Sequence, residues 1–259
     1  MSVIDERLVK ALHVHTLRKR ELHAERDPHL LFQTSTIDAL LDGAYDGDVT
    51  FAELAEHGDF GLGTFDACDG EMIALDGGFL RADVDGDLHQ VEPERRTPFA
   101  VLTFFDPARS FEIEGPLEGE DFLAALDERL GHPEAAHALR IVGSFDRVHA
   151  RSVARQEKPY RPLTEVVADQ HVFELAGEGT MVGFRFPDFA AGLNVPGYHL
   201  HFASADRSRG GHVLSSAIGS VRVEVDDEVD LHLELPPGVE LDSPGAVSDD
   251  ALRRVERDG

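Results

Sequence analysis

Apolar positions in the first half of the chain come in short segments separated by turn-forming residues. Residues 30–33 predict a strand that enters a helix, because Ser35 or Thr36 can cap the helix that follows. Thr50 and Glu53 have the spacing of a capping box, which predicts the start of a second helix. Beyond it, apolar residues lie between glycines and aspartates, as is typical of β-strands. The predicted strands are 61–65, 71–75, 79–82 and 99–105.

The second half of the chain carries more strand signal than helix signal. One helix is predicted over 123–130, where Gly131 follows and ends it, and a short one over 164–169. A terminal helix is predicted from Ser248. The predicted strands are 138–145, 181–186, 198–202, 212–225 and 229–235. Strands and helices in this arrangement indicate an α+β fold with a domain boundary near 155–165, and we expect the charged, helix-prone residues 1–28 to form a peripheral lead segment.

The charge of the chain excludes one class of partner and indicates a habitat. Fifty acidic residues against 24 basic ones give a net charge of −26 over 259 residues. Nucleic-acid binding requires a basic surface that neutralises phosphates, so we expect no nucleic-acid partner. The hydrophobic fraction of 42% argues against disorder. We interpret the acidic surface as adaptation to high salt, which screens the self-repulsion of so many like charges.

The apolar segments and the single cysteine indicate the cellular compartment of the protein. No apolar run reaches 18 residues, so no membrane span is predicted. The first residues are charged and lack the apolar region of a secretion signal. Cys68 is the one cysteine, which excludes an internal disulfide and fits a reducing compartment. We therefore expect a cytoplasmic protein without a membrane partner.

Three histidines in one segment are candidate metal ligands. His199 and His201 are two residues apart on a predicted strand, so both side chains point to the same face. A turn through Gly210 and Gly211 would bring the next strand back and place His212 beside them. Three neutral imidazoles with an open fourth position are typical of a catalytic zinc site, although iron, manganese or nickel can use the same ligands.

The alternative for these histidines is that they are structural, since a chain with 14 histidines contains His-x-His pairs by chance. A second such pair, His13 and His15, lies in the lead segment, and we interpret it as surface. Cupins also use a His-x-His strand and a later histidine, but usually with a glutamate soon after the pair. Here that stretch reads Ser204, Ala205 and Asp206, so the match to the cupin pattern is imperfect. A cupin-like dioxygenase or isomerase that uses the same three histidines is therefore kept as the alternative function.

Two charged residues in apolar surroundings are further candidates. Glu71 begins a predicted strand, and Arg151 lies in the segment 148–153. Each has an ordinary interpretation, as a solvated strand-end charge or a surface ion pair. An arginine directed into a metal cavity would instead hold a substrate carboxylate. The chain lacks a Gly-x-Ser-x-Gly elbow and a phosphate-binding glycine loop, so serine hydrolases, kinases and dinucleotide enzymes are not predicted.

Several motifs together point to one known family. They are 33–43 (QTSTIDALLDG), 61–65 (GLGTF) with 69–71 (DGE), 148–151 (VHAR), 155–160 (RQEKPY), and 197–213 (GYHLHF through DR to GGHV). With these motifs the chain resembles the α-acetolactate decarboxylase family over about residues 29–257. The resemblance implies an N-terminal mixed β-sheet with helices over 29–158. Over 159–259 it implies an antiparallel, half-open barrel that carries the metal site and a terminal helix.

The resemblance also implies roles for individual residues. The family's zinc ligands fall on His199, His201 and His212, which agrees with the strand argument. Its catalytic glutamate and active-site arginine fall on Glu71 and Arg151.

Two further positions complete the expected site. Thr64 matches a pocket-lining threonine, and Glu256 is our assignment for a glutamate that the C-terminal tail contributes.

The implied reaction is the decarboxylation of (S)-2-acetolactate to (R)-acetoin and CO2. One Zn²⁺ per chain would act as the Lewis acid on the enediolate, with no organic cofactor. The implied assembly is a homodimer that acts on a small molecule.

Overall fold

The computed structural model describes residues 7, 13–17, 29–228, 230–239 and 255. Among these residues strands dominate, and the helices are few and short. The strands are β1 (His13–Leu17), β2 (Leu30–Thr34), β3 (Val49–Thr50), β4 (Phe60–Thr64), β5 (Glu71–Leu75), β6 (Gly78–Ala82), β7 (Leu88–Gln90), β8 (Arg96–Thr97), β9 (Ala100–Thr103), β10 (Arg109–Glu118), β11 (Ala136–Ser152), β12 (His171–Phe186), β13 (Gly197–Ser204), β14 (Gly210–Glu228) and β15 (Asp230–Glu234). The helices are α1 (Ile37–Leu41), α2 (Phe51–Leu54), α3 (Gly119–Leu130) and α4 (Leu163–Val166), and 3₁₀ turns lie at Asp66–Cys68, Val167–Asp169 and Asp188–Ala190.

Local capping explains where the first two helices begin. The hydroxyl of Thr36 accepts a hydrogen bond from the backbone N–H of Ala39, 3.2 Å away, at the start of α1. Thr50 and Glu53 form the predicted capping box at the start of α2. Both contacts satisfy N–H groups that a helix leaves unpaired in its first turn. The predicted helix starts are therefore confirmed.

The first sheet is mixed, with eight strands in the order β1-β15-β2-β9-β4-β5-β6-β7. Strand β15 pairs in parallel with both β1 and β2, whereas the remaining pairs are antiparallel. Strand β15, from the last third of the chain, is thus inserted into the sheet that the first half builds. Leu231 and Leu233 of β15 are fully buried, which stabilises this insertion through apolar burial.

The second sheet is antiparallel, with five strands in the order β10-β14-β11-β12-β13. The start of β14 also pairs with β13, so β14, β11, β12 and β13 form a closed ring of hydrogen-bonded strands. Strands β11, β12 and β14 are 17, 16 and 19 residues long, well beyond the predicted segments. The expected half-open barrel stays a prediction.

The main apolar core lies between the two sheets. It joins residues of the first sheet, such as Leu62 and Val101, to residues of the second, such as Val182 and Phe184. A second core packs α3 on the outer side of the second sheet, and a third packs α2 on the outer side of the first sheet. The region where the sheets meet is therefore shielded from water on both sides.

Neither sheet is confined to one side of residue 158. The first contains β15, and the second contains β10 and β11. The division into folding units at 29–158 and 159–259 stays a prediction. In the lead segment His13–Leu17 forms an edge strand, so the helical expectation was wrong there, because pairing with β15 overrides local propensity. The predicted terminal helix from Ser248 lies outside the described residues except for Val255.

Candidate metal centre and catalytic cavity

The three candidate ligands come together on two neighbouring strands. His199 and His201 lie on the same face of β13, and His212 of β14 lies directly opposite His201. The ring centroids are 5.1 to 5.3 Å apart, and one nitrogen from each ring lies within 4.8 Å of the others. All three side chains are buried. This geometry allows the three imidazoles to bind one metal ion.

The hydrogen bonding of His201 fits a metal ligand. Its Nδ1 donates to the backbone carbonyl of Met72 at 2.8 Å, which fixes the tautomer and leaves Nε2 as the electron-pair donor. This buried Nε2 makes no hydrogen bond to the described residues, and it lies 3.6 Å from Oε2 of Glu71. An orphaned acceptor directed at two other imidazoles is the arrangement that a metal ion would satisfy.

Burial keeps the His199 and His201 imidazoles neutral. Burial, together with the smaller effect of the nearby Arg151 guanidinium, lowers the pKa of His199 to about 3. The pKa of His201 is also held well below its ordinary value, first by burial and then by His199 and Arg151. Neutral imidazole is the form that ligates metals, so His199 and His201 need lose no proton to bind a metal ion at neutral pH.

Glu71 and Arg151 form a buried ion pair beside the histidines. Oε1 of Glu71 lies 2.9 Å from Nη1 of Arg151, and the two side chains are only 8% and 5% exposed. Arg151 lies opposite His212 in the β11–β14 pairing, so His201, His212 and Arg151 form one row across three strands. Glu71 comes from the other sheet, where it lies opposite Thr64. The junction of the sheets thus places a carboxylate, a guanidinium and three imidazoles together.

The cavity has one polar wall and one apolar wall. It encloses about 400 Å³, including the mouth that opens to solvent. The polar wall holds Thr64, Glu71, Arg151 and the three histidines. The apolar wall is formed by Ile37, Leu40, Phe99, Val153, Leu163 and Val255. Such a cavity suits a small molecule with a charged end and short alkyl groups.

Thr64 and Cys68 lie at the border between the two walls. The Thr64 hydroxyl donates to the carbonyl of Gly70 at 2.8 Å and lies 3.9 Å from the Cys68 sulfur. Cys68 follows Ala67, and both have positive φ angles, 54° and 60°, which turn the thiol toward the cavity. Burial, with Glu71 nearby, raises the pKa of this thiol to about 12. Cys68 therefore acts as a small neutral lining group.

Sequence reasoning missed several contributors to the site. No motif in the sequence gives Cys68 a role in the site, and the Met72 carbonyl carries no side-chain signal. The apolar wall residues give no chemical signal, although Ile37 and Leu40 belong to the conspicuous segment 33–43. Glu256 lies outside the described residues. Its neighbour Val255 is buried and lines the cavity.

Fold and site together define a class of protein in which a buried three-histidine centre lies between two packed β-sheets. The family model for alpha-acetolactate decarboxylase matches residues 31–242. The chain belongs to the alpha-acetolactate decarboxylase family, and as a member it is a carboxy-lyase rather than a cupin-like oxygenase. The resemblance inferred from the motifs is confirmed.

Relatives and solved structures agree with this assignment. The chain is 43% identical to the alpha-acetolactate decarboxylase of Methylococcus capsulatus over 98% of this chain and 99% of that protein. It is 41% identical to the enzyme of Klebsiella aerogenes over 84% of each. The crystal structure of the Bacillus subtilis 168 enzyme superposes with a TM-score of 0.83 at 38% identity, covering 88% of this chain and 99% of that one. Among the described residues no helix combines the length and apolar character needed to cross a membrane.

Proposed function

We propose that the cavity converts (S)-2-acetolactate to (R)-acetoin and CO2 with a Zn²⁺ ion held by His199, His201 and His212. The observation that carries this proposal is the position of the Glu71–Arg151 pair. It places a carboxylate oxygen 3.6 Å from the metal-facing nitrogen of His201 and a guanidinium on the same wall. One cavity thus offers a metal site, a positive charge and a proton-carrying group.

Arg151 is the group that receives the substrate. Its Nη1 is occupied by Glu71, whereas its buried Nε makes no hydrogen bond to the described residues. A substrate carboxylate or a developing oxyanion would satisfy this N–H through a charge-assisted hydrogen bond. The apolar wall then accommodates the two methyl groups of acetolactate and keeps water away from the reacting carbon.

The reaction breaks the bond between the carboxylate carbon and the tertiary carbon. The electron pair left behind moves onto the neighbouring ketone oxygen and gives an enediolate, which a proton on carbon converts to acetoin. Zinc bound by the three imidazoles would supply a Lewis acid for the hydroxyl and ketone oxygens of the substrate. Arg151 adds a fixed positive charge where the negative charge develops.

Glu71 is placed to deliver the proton, which its carboxylate, ionised beside Arg151, first takes up from solvent at the cavity mouth. Its Oε1 is held by Arg151, and its Oε2 faces the histidines. A carboxyl group fixed on one side of the cavity delivers to one face of a planar intermediate, which accounts for a single enantiomer of acetoin. Glu256 is the second candidate for this role, since it follows Val255 in the chain.

The direct test measures acetoin from racemic acetolactate at molar potassium chloride. Zinc-loaded and chelator-treated protein are compared side by side, with the spontaneous reaction subtracted. Zinc-dependent formation of (R)-acetoin, well above the spontaneous rate, is expected. Absence of acetoin from folded, zinc-replete protein would overturn the proposal.

We also propose a homodimer in a salt-rich cytoplasm. Family resemblance supports the dimer, and the net charge of −26 supports adaptation to salt. Sedimentation tests the dimer, and thermal melting at 0.1 M and 2 M potassium chloride tests the adaptation to salt. A dimer with higher thermal stability at high salt is expected, and a monomer or salt-independent stability would count against the respective part.

A further inference from the structure

A surface arginine ties the strand of His212 to the other sheet. Arg209 lies at the turn between β13 and β14, and its side chain reaches the loop that joins β6 to β7. Its Nη2 donates to the carbonyl of Asp85 at 2.7 Å and its Nε to the carbonyl of Gly86 at 3.2 Å. The carboxylate of Asp87 is 3.4 Å from Nε. One guanidinium thus contacts three consecutive residues of a loop from the opposite sheet.

Backbone contacts reinforce the same junction. The N–H of Gly210 donates to the carbonyl of Gly86 at 2.9 Å, and the N–H of Leu88 donates to the carbonyl of Ser208 at 2.9 Å. The Arg209 guanidinium also lies 5.7 Å from the ring centroid of Phe173. The loop and the turn therefore pack as one unit, with the arginine at its centre.

There is little room for the segment to move once this junction is made. A Cβ added to Gly210 would lie 2.4 Å from the carbonyl oxygen of Phe202, and one added to Gly211 would lie 2.7 Å from that of Arg151. Only two residues separate Arg209 from His212. The position of the turn is therefore transmitted to the metal ligand.

The other end of the junction leads to the catalytic carboxylate. The loop begins after Ala82, which lies directly opposite Glu71 in the β5–β6 pairing. The carbonyl of Ala82 also accepts a hydrogen bond from Ser152, the residue after Arg151, at 3.1 Å. The loop is thus anchored beside both members of the ion pair.

We propose that Arg209 is a positioning residue that sets the distance between the three-histidine centre on one sheet and Glu71 on the other. Arg209 is not one of the described residues that line the cavity, so it acts through His212 and the loop 83–87. This inference rests on the proposed function for its kinetic consequence. Its structural consequence, the geometry of the metal site, is independent of that function.

The test compares Arg209→Ala and Arg209→Lys with a control, Arg222→Ala. Arg222 lies on the same strand as His212, with a side chain 55% exposed that contacts Glu224 and Ser110. Zinc affinity is measured by competition with a chromogenic chelator, and the visible spectrum of the Co²⁺-loaded protein reports ligand geometry. kcat, KM and the melting temperature are measured on the zinc-loaded enzyme.

For Arg209→Ala we expect zinc affinity or kcat to fall by about tenfold, the lower end of the loss that follows when groups orienting metal ligands are removed. KM should change less than kcat, and the Co²⁺ spectrum should shift. Arg209→Lys, which keeps the charge and one donor group, should be intermediate, and Arg222→Ala should match the parent protein. Arg209→Lys also serves as the test if Arg209→Ala does not fold.

The proposal is overturned if Arg209→Ala, or Arg209→Lys where only that variant folds, lowers the melting temperature alone, with spectrum, zinc affinity and kcat unchanged. If the parent protein makes no acetoin, the proposed function fails, but the Co²⁺ spectrum and chelator competition still decide the role of Arg209.

Discussion

Glu71 and Arg151 meet across the junction of the two sheets, with 2.9 Å between Oε1 and Nη1. They are 80 residues apart in the chain, and both are almost fully buried. Each therefore depends on the other to offset the cost of removing a charge from water. The pair orients the carboxylate toward the histidines and couples the effects of substitutions at its two members.

Replacing Glu71 with glutamine should abolish most activity while leaving the metal site intact. The amide keeps the size of the side chain and a hydrogen-bond acceptor for Arg151, but it cannot carry the proton. We expect kcat to fall by about 100-fold or more, in line with the loss of a general acid. Acetoin assays together with zinc analysis check this. Full activity in a zinc-replete variant would remove Glu71 from the mechanism and leave Glu256 as the proton donor.

Replacing Arg151 with methionine should destabilise the protein as well as inactivate it. The change leaves the Glu71 carboxylate buried beside the histidines without its partner, which typically costs about 3–5 kcal/mol. Chemical denaturation measures the free energy of unfolding. The double variant Arg151→Met with Glu71→Gln should recover a large part of the loss, and additive losses would show that the ion pair does not couple the two residues.

Replacing His201 with alanine should lower the metal content of the purified protein. One nitrogen of its ring lies within 4.8 Å of a nitrogen of each of the other two rings, and two imidazoles alone bind more weakly. Elemental analysis after dialysis gives the stoichiometry per chain. The matched control is His132→Ala, since His132 is exposed and lies away from the cavity residues. Equal zinc in both variants would refute the ligand assignment.

Replacing Glu228 with glutamine should stabilise the protein at alkaline pH. Burial raises the pKa of Glu228 well above its ordinary value of 4.5, and Asp226 raises it further. A folded-state pKa above the unfolded one gives stability that is complete below pH 4.5 and is lost as pH rises through the folded value. The glutamine variant is free of this loss, so its melting temperature should exceed the parent's by about 2–4 °C at pH 8 for each 1 kcal/mol recovered.

The control for this prediction is the pH dependence itself. The difference between the glutamine variant and the parent should shrink as pH falls toward and below 4.5, because the parent carboxyl becomes protonated in the unfolded state as well as in the folded one. A constant difference from pH 4.5 to pH 8 would show that burial of the Glu228 charge is not its cause.

The thiol of Cys68 should resist alkylation in the folded protein. Its pKa of about 12 leaves almost no thiolate at pH 8, and the side chain is 3% exposed. Incubation with iodoacetamide followed by intact-mass measurement should show the unmodified chain, with one added label after unfolding in guanidinium chloride. Rapid labelling of native protein would contradict the neutral, enclosed thiol.

Local features of the sequence determined local features of the structure. The cap at Thr36 and the capping box at Thr50 and Glu53 join groups only three residues apart, so no distant contact is needed to form them. The shared face of His199 and His201 follows from the two-residue period of a strand, which is set by backbone geometry alone. The family motifs likewise contain the polar residues of the cavity, which are Thr64, Glu71, Arg151 and the three histidines.

The tertiary structure decided which of these residues meet. Three contacts join distant parts of the chain. They are the ion pair between Glu71 and Arg151, the pairing of Arg151 with His212, and the insertion of β15 between β1 and β2. His13–Leu17 becomes a strand only because β15 offers an edge to pair with. Such contacts form when two sheets bury a common core and exclude water. The free energy gained by this burial depends on the whole fold rather than on any single segment of the sequence.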